Sequence, residues 1–119
     1  MDFSQILEQI RAEVSGCHAA LIMNLDGMVV ARQDGPDSPA DAEAVLVELL
    51  ASIKAGLAAA QQVGGSFRGM SVDLERAVVV VRMLGQEHFA ALLFAPDALE
   101  GKGRFLLRLK SRELVKELG

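Results

Sequence analysis

Tryptophan and tyrosine are absent from this sequence, and five phenylalanines supply its whole aromatic content. Proteins that hold single-stranded nucleic acid stack bases on rings within a basic groove. A chain with so few rings and a net charge of −4 does not fit that class, so nucleic acid is not an expected partner. Cys17 is the only cysteine, which excludes an internal disulfide and the four-cysteine zinc patterns. The two histidines, His18 and His88, are seventy residues apart, and neither has a second His or a Cys at zinc-ligand spacing. Cys17 and His18 are adjacent on an expected strand and so point to opposite faces. No apolar run approaches the roughly 18 residues of a membrane span. Residues Met1 to Gln5 are acidic and amphipathic rather than basic then apolar, unlike a secretory signal. A cytoplasmic protein without a transmembrane segment is expected.

What is present describes one folded domain over residues 1–119. Hydrophobic residues make up 51% and charged residues 24%, the balance of a chain able to bury a core. The charge is unevenly placed. Residues 102–119 hold six of the twelve Lys and Arg against two acids, so this tail carries about +4 and the remainder about −8.

The longest periodic segment, Pro39 to Val63, reads as a helix apolar on two opposite faces. Ala42, Val45, Leu46, Leu49, Leu50, Ile53, Leu57 and Ala60 follow the spacing of a core-facing stripe. About 180° away, Ala44, Val47, Ala51, Ala55 and Ala58 form a second, small-residue face, with Glu43, Glu48 and Lys54 on its flanks. Small side chains admit close helix packing, so a second copy of the chain is the natural cover. Ser38 is placed to cap this helix and Pro39 suits its first position. Gly64-Gly65 stops it.

Before it, Asp2 is placed to cap a first helix in which Phe3, Ile6, Leu7, Ile10 and Val14 repeat at helical spacing, ended by Gly16. Strands are predicted at about 18–24 and 28–33, joined by an Asp26-Gly27 turn. After it come three strands. Phe67 to Leu74 alternates Met70, Val72 and Leu74 with Ser71 and Asp73, the pattern of a half-exposed or edge strand. Ala77 to Met83, containing Val78-Val79-Val80-Val81, has no alternation, and Phe89 to Ala95 is similarly continuous; both are expected to be buried on both faces, which implies helices on both sides of the sheet. Gly101 to Leu118 reads as a last helix, with Leu107, Leu114, Val115 and Leu118 on one side and Phe105 and Leu109 nearer the other.

No active site assembles from these residues, and no catalytic group, metal or cofactor is expected. Gly64-Gly65-Ser66-Phe67-Arg68-Gly69 lacks the Lys-Ser or Lys-Thr of a phosphate loop, and Gly101-Lys102-Gly103 lacks the rest of that motif. Arg104, Arg108 and Arg112 recur at i, i+4 and i+8 and form one basic row on the last helix. That row is either a solvated face or a surface for an acidic partner or anionic lipid. Glu48 and Lys54 flank the small-residue face as candidates to orient a partner.

Three stretches carry a family resemblance. Ala19 to Ala31, with its apolar run, Asp26-Gly27 turn and apolar return, the pair Ala77 to Leu84 and Phe89 to Phe94, and Gly103-Arg104-Phe105-Leu106-Leu107-Arg108 together resemble the Roadblock family of dynein light chains and its bacterial relatives. Their order spans nearly the whole chain. The resemblance implies an α+β three-layer sandwich of order α-β-β-α-β-β-β-α. A five-stranded antiparallel sheet would carry the long helix on one face and the two terminal helices on the other. It also implies a homodimer in which third strands pair edge to edge, through Phe67, Gly69 and Ser71, while the long helices meet through Ala44, Val47, Ala51, Ala55 and Ala58. Prokaryotic members characteristically partner small Ras-like GTPases, so a non-enzymatic regulator or platform for such a GTPase is the leading expectation. If the protein accelerates hydrolysis, the resemblance implies that it orders catalytic elements already present on the GTPase; an inserted arginine is the other mechanism, with Arg32 and Arg68 as the candidates. A nucleotide-independent scaffold is the alternative. A small-ligand sensor ranks last, because the strands offer mostly Val, Ala and Leu.

Overall fold

The computed structural model describes residues 2–36, 38 and 41–119. The first helix, α1 (Phe3–Glu13), starts as its sequence dictates. The Asp2 carboxylate accepts from the Gln5 amide at 2.9 Å while the Gln5 side chain accepts from the Asp2 amide at 3.0 Å, a reciprocal capping box. Ile6, Leu7 and Ile10 are buried.

Strands β1 (Cys17–Asn24) and β2 (Val29–Asp34) form the expected hairpin. Gly27, in the turn between them, has φ 87°, a left-handed backbone that favours glycine. Asn24 organises this turn: its side-chain oxygen accepts from the amides of Asp26 and Met28 at 2.9 and 3.0 Å.

The long helix α2 runs from Ala42 to Val63, 22 residues, about 33 Å at 1.5 Å per residue. Its cap is Asp41, not Ser38. The Asp41 carboxylate accepts from the amides of Glu43 and Ala44 at 3.0 and 3.4 Å, so the helix starts later than the expected Pro39. Pro39 itself lies outside the described residues. Gly64 ends the helix, at φ 86° with its amide donating to the Ala60 carbonyl.

Three strands follow, β3 (Gly69–Leu74), β4 (Ala77–Leu84) and β5 (His88–Phe94), then the last helix α3 (Glu100–Leu118). All pairings are antiparallel. The order β2-β1-β5-β4-β3 leaves β2 and β3 at the edges, and β3 shows the half-exposed pattern its alternation predicts. The architecture is the α+β three-layer arrangement, with α2 on one face and α1 and α3 on the other.

Because strand side chains alternate, the central strands feed two separate cores. Val78, Val80, Leu92 and Phe94 pack with Ile6, Leu7, Leu107 and Leu114 beneath α1 and α3. Val79, Val81, Phe89 and Leu93 pack with Leu46 and Ile53 beneath α2. The α2 core stripe is therefore as read, with Val45, Leu49, Leu50 and Leu57 partly buried beside them.

On α3 the buried positions are Gly103, Leu107 and Leu114. Val115 is corrected: it is exposed, because it lies about 100° around the helix from Leu114. Phe105 and Leu109 stay in solvent, as their placement away from the seam implies.

Candidate functional site

The candidate residues fall mainly on two surfaces of the domain. The first joins α2 to the free edge of β3. Ala44, Val47, Ala51, Ala55 and Ala58 are all exposed, as are Glu48 and Lys54 beside them. Val47 keeps 45% of its surface in solvent. The ring of Phe67 covers Gly56, where a Cβ would meet its Cε1 at 2.5 Å, so the second half of α2 borders the start of β3. Phe67 is half-buried in the α2 core, whereas Gly69 and Ser71 are exposed on the edge strand. A Cβ at Gly69 would stand 2.3 Å from the carbonyl oxygen of Val81, so glycine is the residue that fits here.

The second surface lies on the opposite face, between α3 and the ends of β3 and β4. The Arg104 guanidinium donates to the Ser71 hydroxyl at 2.6 Å and lies 3.5 Å from Glu100. Arg82 and Arg108 join it around a shallow hollow of about 280 Å³. Arg68 adjoins on one side and Arg112 on the other. Arg82 was not among the candidates read from sequence. Its signal was parity: with Val78 and Val80 facing the α3 core, Arg82 falls on the same side of β4.

Arg32 is placed differently from Arg68. Its guanidinium lies 2.7 Å from Asp34, 3.5 Å from Asp41 and 3.8 Å from Glu43, strapping β2 to the start of α2. The hydrogen bond it donates to Asp34, with the further charges of Asp41 and Glu43, holds its proton more tightly than usual. Arg68 is exposed and has no carboxylate within 4 Å among the described residues.

Cys17 is buried, and burial pushes its thiol up to about 11, away from the low values of reactive cysteines. Among the described residues no group of three or more His, Cys, Asp or Glu side chains is placed to hold a metal ion, and no helix is long and apolar enough to cross a membrane.

No family model and no curated protein matches the chain by sequence. Solved structures do match its fold. The crystal structure of MglC from Myxococcus xanthus is 26% identical at TM-score 0.75, over 98% of this chain and 99% of that one. The gliding protein MglB from Thermus thermophilus is 22% identical at TM-score 0.82, over 95% and 85%. A Roadblock/LC7 domain from Streptomyces avermitilis is 19% identical at TM-score 0.82, over 99% and 98%.

Proposed function

With a Roadblock-type domain as the premise, we propose that this protein is a non-enzymatic, homodimeric regulator or platform for a small Ras-like GTPase. The observation that carries the reading is the meeting of two unpartnered features at one border. Among the described residues the edge strand β3 has no strand on its outer side, and the adjoining helix α2 exposes a face of four alanines and Val47. An unpaired edge is a template for another strand, and a small-residue helix face admits a close neighbour. One two-fold axis would satisfy both.

The resemblance to prokaryotic Roadblock members supplies the GTPase. Glu48 and Lys54, at the rim of the alanine face, would orient it. Of the two arginines suited to insertion into a GTPase site, Arg68 is the freer. Withdrawing Arg32 would leave Asp34, Asp41 and Glu43 without their shared cation.

The test is capture of partners from native lysate on the immobilised protein, with GDP and with a non-hydrolysable GTP analogue in parallel. Retention of a small GTPase in one nucleotide state only supports the proposal. Equal retention in both replaces it with a nucleotide-independent scaffold. With a GTPase in hand, loss of hydrolysis in Arg68→Ala at saturating partner, binding retained, would identify an inserted arginine; an unchanged rate would mean that the protein orders groups already on the GTPase.

A further inference from the structure

The arginine surface under α3 faces away from α2 and shares only Arg68, at its β3 end, with the GTPase reading. We infer that it is a docking groove for an extended acidic segment of another protein, one in which carboxylates alternate with other residues.

Three observations lead there. The first is uncompensated charge. Of Arg68, Arg82, Arg104, Arg108 and Arg112, only Arg104 has a carboxylate within 4 Å among the described residues, and that partner is Glu100 at 3.5 Å. Glu113, on the same helix, is taken by Lys110 at 3.5 Å. Asp73 lies on the same side of β3 as Ser71 but lines none of the hollows. Like charges gathered without counter-ions repel one another; an anion relieves that repulsion.

The second observation is the type of cation. Every cation lining these hollows is an arginine, although the chain contains lysines on the same helix. The guanidinium fork matches a carboxylate with two parallel hydrogen bonds, which an ammonium cannot do.

The third is spacing. Arg104, Arg108 and Arg112 are four residues apart along α3, a rise of about 6 Å per step. In an extended chain, side chains on one face recur every roughly 6.5 Å. A segment with acids at every second position therefore presents one carboxylate to each arginine. Phe105 and Leu109, 52% and 60% exposed, border the row and offer apolar contact at its side. A membrane surface would not select this spacing, and the hollows between α3 and β4 are concave where a bilayer needs a flat or convex front.

The experiment uses the full chain and a fluorescein-labelled peptide in which three glutamates alternate with serines, with a leucine following. The comparison is an isomer of identical composition with the glutamates consecutive. Fluorescence anisotropy at low salt should show saturable binding of the alternating peptide and weaker binding of the isomer. Arg108→Gln should lower affinity about tenfold or more with an unchanged melting temperature, since Arg108 is exposed. Equal affinity for both peptides, or affinity unaffected by Arg108→Gln, would overturn the inference. So would Arg108-dependent capture by phosphatidylserine vesicles without peptide binding. Nucleotide-dependent GTPase capture by the same variant keeps the two readings separable: its survival beside a failed peptide assay sinks only this one.

Discussion

Gly103 of α3 lies directly on the Phe94 ring of β5: a Cβ at Gly103 would stand 2.3 Å from Cζ and 2.9 Å from Cε1 of Phe94, which is fully buried. The last helix thus packs on the sheet through a missing side chain. Gly103→Ala is expected to destabilise the fold by about 1–3 kcal/mol through overpacking, even though alanine is the better helix former by about 1 kcal/mol. Gly101, two residues earlier, has open space where a Cβ would stand, with nothing within 4 Å, and Gly101→Ala should be neutral to stabilising by about 0.5 kcal/mol. Urea unfolding of the pair checks both signs; the same shift in the two variants would refute the contact's role.

The buried thiol gives a pH prediction. Burial raises the Cys17 pKa from 9.0 to about 11, so between those values the unfolded chain has lost a proton that the folded chain keeps. The contribution is fully present below pH 9.0 and is lost as pH climbs to about 11, on the order of 2–3 kcal/mol in total. The absence of tyrosine removes one other kind of side chain that titrates in this window. Unfolding of the protein and of Cys17→Ala should differ in slope between pH 9 and 11, the variant being flatter. Parallel slopes would show that Cys17 is not responsible.

For the alanine face, Ala51→Glu places a charge where a two-fold would bring two copies together. Ala51 is exposed, so the protomer should fold with its melting behaviour intact while light scattering reports half the mass of the unmodified protein. An unchanged mass would remove α2 from the proposed contact.

The order of elements, the doubly buried strands β4 and β5 and the two stripes of α2 were legible because periodicity is a property of consecutive residues. The α2 cap was misplaced for a local reason: Ser38, Asp41 and the prolines offer competing start signals. Asp41 prevails because its carboxylate reaches two free amides, those of Glu43 and Ala44. The arginine groove was only half visible. The spacing of Arg104, Arg108 and Arg112 belongs to one helix, but Arg82 joins them through β4, opposite Gly69 in the β3 register. A relation between segments this far apart leaves no trace in either segment's own pattern. Ser71 was read only as an edge residue, and its bond to Arg104 spans 33 positions.

Alternation along β4 makes the sheet an insulating wall. Val79 belongs to the core under α2 and Val80 to the core under α3, so neighbours in sequence answer to different sides. Truncations such as Ile53→Ala and Leu107→Ala should then have additive costs. A partner docked on one side can influence the other only by bending or sliding the strands themselves, which makes the wall's stiffness the quantity that decides whether the two faces ever act in concert.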